Sequence, residues 1–172
     1  MTSLFVSIYY GLSYSLKIVS QPLSLSSMRI VIGCDHGGFA YKDPIIAVLK
    51  ELGHEVIDVG TNSSASVDYP IYAKKAAAEI QEGRADRGIL ICGTGIGISI
   101  AANKCKGIRA ALCHDHLTAQ LTRQHNDANM VAFGARVIGI EVAIDIVKTF
   151  LSTEFEGGRH KNRVDMMMAI EQ

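Results

Sequence analysis

From Met28 onward the chain alternates short runs of β-branched and aliphatic residues with longer stretches whose apolar positions recur every three or four residues. These are the two periods that separate strands from amphipathic helices. Five short runs, Arg29–Cys34, Glu55–Val59, Arg87–Cys92, Arg109–Cys113 and Asn129–Phe133, predict strands. Several are apolar almost without interruption, as strands covered on both faces should be. Helical spacing predicts helices at about Phe39–Leu52, Tyr69–Gln81, Ile96–Lys104, Asp115–Gln124, Glu141–Leu151 and Arg159–Ile170, with Gly53, Gly83 and Gly107 where helix C-caps are wanted. Such alternation specifies the α/β class: a Rossmann-like three-layer αβα sandwich on a five-stranded parallel sheet, joined by right-handed crossovers. Ligands of these sheets gather outside the carboxyl ends of the strands, so the residues just after each strand carry the functional information.

Residues 1–27 break this pattern. They are rich in Ser, Leu and Tyr, contain no acid and carry Lys17 as their one base. The apolar run from Leu4 is broken by Ser and Gly and lacks the basic start of an export signal. The expectation is an N-terminal extension outside the fold, disordered or read from a start codon upstream of Met28, followed by one domain over 28–172.

Composition narrows the function classes. The 172 residues are 48% hydrophobic and 20% charged, with 17 basic and 17 acidic side chains, which describes an ordinary soluble domain. A net charge of zero leaves no electrostatic footprint for nucleic acid or an anionic membrane, so small molecules and other subunits are the expected partners. Four cysteines, Cys34, Cys92, Cys105 and Cys113, form no CxxC pair, which fits free thiols in a reducing, cytoplasmic compartment.

The strongest local signal follows the third strand, where Cys92 gives way to Gly93-Thr94-Gly95-Ile96-Gly97-Ile98-Ser99. A glycine-rich strand-to-helix turn exposes backbone N–H groups to an anion or a developing oxyanion. It is neither a dinucleotide fingerprint, because Ile98 stands where the third glycine belongs, nor a P-loop, because no Gly-Lys-Ser/Thr follows. Cys92 is then a base at the mouth of an anion cradle, or a buried strand-end cysteine. Asp35 and His36, before Gly37 and Gly38, fall at the ligand edge of the first strand, although Asp35 could equally cap the next helix. His125 and Asn126 sit at a helix end before the fifth strand, where a histidine can exchange protons or be purely structural. Arg159 and Arg163 are spaced i,i+4 on one face of the last helix, suited to phosphate or to solvent, and Arg136 after Gly134 is a third candidate. His114 and His116 flanking Asp115 make a poor chelate, so no metal is expected.

Taken in order, Gly-Cys-Asp-His-Gly-Gly at 33–38, Asp-Tyr-Pro at 68–70, Ile-Cys-Gly-Thr-Gly-Ile-Gly-Ile-Ser at 91–99, Ala-Ala-Asn-Lys at 101–104, Arg-Gln-His-Asn-Asp at 123–127 and Glu-Gly-Gly-Arg-His at 156–160 resemble the sugar-phosphate isomerase family of ribose-5-phosphate isomerase B and the allose- and galactose-6-phosphate isomerases. The resemblance runs from Met28 to the C-terminus. It implies interconversion of ribose 5-phosphate and ribulose 5-phosphate through a cis-enediolate, in the non-oxidative pentose phosphate branch, without metal or organic cofactor. Cys92 would be the base, Thr94 the hydroxyl-proton shuttle, and His125 with Asn126 the ring-opening group. The amides of Gly93, Gly95 and Gly97 would hold the enediolate, Asp35 the sugar hydroxyls, Tyr69 the pocket wall, and His36, Arg136, Arg159 and Arg163 the phosphate. One branch of the family has a Glu base inside the glycine turn; Ile98 stands there in this chain, which places it in the Cys-using branch. The resemblance further implies a sheet order of 2-1-3-5-4 and a homodimer, or a tetramer, with sites shared between subunits. A six-carbon aldose phosphate is the nearest alternative substrate, and a non-catalytic sugar-phosphate-binding module the alternative from another class.

Overall fold

The computed structural model describes residues 26–171; of the predicted extension, residues 1–25 lie outside the described residues. The elements run β1 (Arg29–Cys34), α1 (Phe39–Glu51), β2 (Glu55–Asp58), α2 (Tyr69–Gln81), β3 (Arg87–Cys92), α3 (Ile96–Ala102), β4 (Ala110–Leu112), α4 (His116–Asn126), β5 (Met130–Gly134), α5 (Ile140–Ser152) and α6 (Arg159–Met168), with a 3₁₀ turn over Ala169–Glu171. All strand pairs are parallel and the sheet order is β2-β1-β3-β5-β4. Both the α/β class and the expected order hold.

Alternation along the central strands splits the core in two. Ile30, Ile32, Ile89, Ile91, Val131 and Phe133 point to one face and pack with Ile45 and Leu49 of α1, Ala119 of α4 and Ile146, Val147 and Phe150 of α5. Val31, Leu90, Cys92 and Ala132 point to the other, under Ala73, Ala76 and Ala77 of α2 and Ile98 and Ala102 of α3. The alanines let α2 ride close to the sheet: a methyl on Gly33 would lie 3.1 Å from the Tyr72 carbonyl oxygen and 3.3 Å from the Ala76 Cβ. That approach fixes where α2 begins, and so where Tyr69 stands. α6 packs against α4 beside the β4 edge.

Element ends differ from the sequence expectation by one or two residues, at α3 and α4 because a side chain intervenes. Asp115 is the N-cap of α4 and not its first residue, because its Oδ1 accepts from Thr118 N–H at 2.7 Å. α3 stops at Ala102, where Asn103 turns outward to bond both the N–H and the C=O of Ala110 at 2.8 Å. Gly53 and Gly83, at φ 83° and 68°, follow their helix C-caps directly, whereas Gly107, at 78°, belongs to the turn into β4.

Candidate active site

The carboxyl ends of β1, β3 and β5 meet at one place. Cys92 ends β3 and is 4% exposed. Its Sγ accepts from the Gly95 N–H at 3.0 Å, a contact made possible by the left-handed turn at Gly95, φ 78°. A side chain at that position would also meet the Phe133 backbone at 2.7 Å. The Thr94 and Gly97 N–H groups donate to no acceptor among the described residues, while Thr94 Oγ1 accepts from Ile96 N–H at 3.3 Å and its side chain is exposed. The turn therefore keeps the Thr94 and Gly97 amides free, while that of Gly95 serves the Cys92 sulfur.

The neighbouring loops close on this turn. Gly37 approaches so near that a methyl on it would lie 2.8 Å from the Gly93 nitrogen, and Arg136 lays its guanidinium over Gly93. Asp35, 5% exposed, accepts on Oδ1 from the N–H groups of Gly37 at 2.9 Å and Gly38 at 3.1 Å. It shapes the glycine turn and is not the N-cap of α1, a position that Gly38 occupies; Oδ2 has no bond to a described residue. His36 Nδ1 sits 3.2 Å from the Val67 nitrogen and 3.3 Å from its oxygen, which pins the β2–α2 loop. The far end of that loop is tied by Lys42, 3% exposed, whose ammonium meets Asp58 Oδ2 at 2.8 Å, Thr61 O at 2.8 Å and Asn62 Oδ1 at 3.0 Å. Tyr69 then lies across Gly97, where a methyl would fall 2.6 Å from the ring.

Two of the other cysteines are sealed in the core. Burial pushes the thiols of Cys34 and Cys113 up to about 11, so both stay protonated at neutral pH.

A second cluster lies elsewhere. α4 starts at the carboxyl end of β4 and runs back, so His125 and Asn126 arrive at the amino end of the sheet, where Asn129 Oδ1 receives the Arg109 N–H at 2.8 Å. The His125 ring stacks on that of His160 with centroids 4.2 Å apart and planes 11° apart. His125, Asn126, His160, Arg163, Val164 and Met167 line a cleft of about 390 Å³. A larger cleft, about 610 Å³, shares Asn126 and Met167 with it and follows the β4 edge. Burial, then His125 and Arg159, lower the pKa of His160, favouring its neutral form. The ligand atoms of His125, Glu156 and His160 lie within 4.8 Å of one another, but parallel stacked rings direct their nitrogens side by side, and Arg159 and Arg163 oppose a cation there.

The expected site residues thus fall into two sets: Asp35, His36, Tyr69, Cys92, Gly93, Thr94, Gly95, Gly97 and Arg136 at the carboxyl edge, and His125, Asn126, Arg159 and Arg163 at the amino edge. Sequence reasoning missed His160, Lys42 and the Arg123–Asp127 pair. His160 and the pair stand inside motifs read for their neighbours, but nothing in spacing reveals a ring stack or a buried guanidinium.

The sequence and the fold both match known proteins. Residues 30–167 match the ribose/galactose isomerase family. The chain is 56% identical over 144 residues to ribose-5-phosphate isomerase B of Escherichia coli, covering 84% of this chain and 97% of that protein. It superposes on a Clostridium thermocellum ribose-5-phosphate isomerase B with TM-score 0.83 and 54% identity, over 84% of this chain and 97% of that one. The Mycoplasma genitalium enzyme with bound ribulose-5-phosphate matches at TM-score 0.80 and 42% identity, over 83% and 95% of the two chains.

Proposed function

The chain belongs to the ribose/galactose isomerase family, and on that footing we propose that it interconverts ribose 5-phosphate and ribulose 5-phosphate in the cytoplasm, with Cys92 as the base. One observation carries the reading: a cysteine sulfur at the carboxyl edge of the sheet, bonded to Gly95 N–H at 3.0 Å within the Gly93–Gly97 turn.

The steps follow from what each group can hold or move. His125, with Asn126 beside it, opens the cyclic aldose: as the bond between C1 and the ring oxygen breaks, the imidazole passes a proton to that oxygen and recovers one from the anomeric hydroxyl. The Cys92 thiolate removes the C2 proton, leaving a cis-enediolate whose oxygen charge lies against the turn amides, each such donor being worth ~10²–10³ in rate. Thr94 carries the hydroxyl proton between O2 and O1, and Cys92 returns its proton to C1. Asp35, fixed through Oδ1 on Gly37 and Gly38, keeps Oδ2 for sugar hydroxyls. Tyr69 walls the site, and His36, Arg136, Arg159 and Arg163 hold the phosphate.

Because His125, Arg159 and Arg163 lie at the sheet edge opposite Cys92, a second copy of the chain supplies them to each site. The test is ribulose 5-phosphate formation from ribose 5-phosphate by chelator-treated protein, compared with allose 6-phosphate by kcat/KM. Turnover of the pentose phosphate is expected. Discrimination against one added carbon is worth only ~1–3 kcal/mol, so side activity on the hexose phosphate is compatible with the reading and a preference for it is not.

A further inference from the structure

Two guanidinium groups converge on Asp127, which ends α4 directly after His125 and Asn126. Arg123, one turn earlier and 2% exposed, donates from Nη1 to Asp127 Oδ1 at 2.8 Å and to the Ala128 carbonyl at 2.6 Å, and from Nε to the Thr153 carbonyl at 3.3 Å. Arg109, just before β4, donates to the Asp127 carbonyl from Nε at 3.0 Å and Nη2 at 2.7 Å, and to Oδ2 at 3.3 Å. Asp127 has φ 46° and ψ 41°, and among the described residues it is the one non-glycine with positive φ. A side chain is held in that left-handed region by its surroundings and not by its own preference.

The last turn of a helix ordinarily frays, because its carbonyls lack intrahelical partners. Here the arginines hold the two residues that follow the helix, taking the carbonyls of Asp127 and Ala128. The Gln124 carbonyl accepts from Glu156 N–H at 3.1 Å, which ties the same turn to the segment that carries His160. The turn bearing His125 is therefore fixed on two sides. We propose that Arg123, Asp127 and Arg109 form a clamp that positions His125 and Asn126 for ring opening. None of the three touches substrate; they act through the backbone of the α4 end. A displacement of ~1 Å at a catalytic group can cost ~10²-fold in rate, so a loose turn would be felt in the chemistry. The functional part of this inference rests on the assignment of ring opening to His125.

Asp127→Asn tests the clamp, since Asn tolerates the left-handed region but lacks the charge that faces two guanidiniums. Arg109→Met is the second variant, on a residue less buried than Arg123, and carries the test if the first does not fold; melting curves choose a temperature at which the variants are folded. Three quantities are measured in the full-length protein. The His160 ring stacked at 4.2 Å should shift the NMR signals of the His125 ring protons upfield in the wild type, and in the variants those signals should move back toward free-imidazole positions. The aldose-to-ketose kcat should fall by ~10–100-fold, with KM near wild type. Exchange of the C1 hydrogen of ribulose 5-phosphate with D₂O should stay near wild type, because that ketose has no ring to open and needs only Cys92 and the turn amides. Unmoved His125 signals, or an unchanged kcat in a folded variant, overturn the clamp. Parallel losses of kcat and exchange overturn it as well, by showing general damage. If the His125 signals move but even the wild type converts neither sugar, the clamp stands and the ring-opening assignment goes.

Discussion

Cys34 and Cys92 end neighbouring strands, yet only one of them is placed for proton transfer. Cys34 packs into the core face shared with α1, and burial drives its thiol up to about 11. Cys92 faces the opposite way, under the glycine turn, with the Gly95 N–H on its sulfur. The sequence showed both as strand-end cysteines beside glycines and could separate them only through the length of the glycine run. Cys92→Ala should lose ~10²–10⁴ in turnover while binding ribulose 5-phosphate about as before; Cys105→Ala, just beyond α3, should stay near wild type. Comparable losses in both variants would remove Cys92 from its role.

His54 was not legible as special at all. It is 5% exposed, its Nδ1 accepts from Met28 N–H at 3.2 Å, and its Nε2 has no partner among the described residues. Burial lowers its pKa, so the folded chain keeps it neutral where the unfolded chain has taken a proton. Between the folded value and ~6.5 the unfolded state then holds more protons, and stability falls as pH falls, by at most ~1.4 kcal/mol per pH unit for this one group. Melting temperature measured from pH 7.5 down to about pH 5 should therefore decline, and more gently in His54→Gln, whose side-chain oxygen can still accept from Met28. An identical decline in both proteins would place the titration elsewhere.

At the scale of elements, periodicity carried nearly everything. β1 and β3 run as predicted because uninterrupted apolar residues suit strands covered on both faces. The ends moved where a side chain intervened, as Asn103 does at the end of α3. α6 opens at Arg159 after Gly157 and Gly158, at φ 64° and 53°, as the glycine pair suggested. That start puts Arg159 and Arg163 on one exposed face, with Arg163 lining the His125 cleft. If the pair grips phosphate by its guanidinium forks, Arg159→Lys and Arg163→Lys should each raise KM for ribose 5-phosphate roughly tenfold with little change in kcat, since charge is kept and the paired hydrogen bonds are lost. KM values near wild type in both variants would assign the two arginines to a solvated face.

At the scale of the whole molecule, the expected site residues divide between the two edges of the sheet, where the family resemblance had implied sites shared between subunits. β5, from Met130 to Gly134, runs between the two clusters, and five residues of strand span ~16 Å. A ribose phosphate cannot bridge that distance and also pass through the packed core formed by Leu90, Val131 and Ala132. No motif spacing could have shown this, because it depends on α4 running back along the sheet. If two chains related by a two-fold axis complete each other's sites, every contact occurs twice and each dimer holds two composite sites, each with Cys92 from one chain and His125 from the other. Co-expression of Cys92→Ala with His125→Ala then makes a quantitative test. In a mixed dimer one site receives both lesions and the other receives neither. Random pairing makes roughly half of the dimers mixed, so roughly a quarter of all sites should regain full activity. Each variant expressed alone should remain weak, and the recovered activity should track the mixed dimers when differently tagged chains are separated. Mixed dimers with no more activity than the parent variants would show that both residues serve the site of a single chain, and the composite site would have to be abandoned.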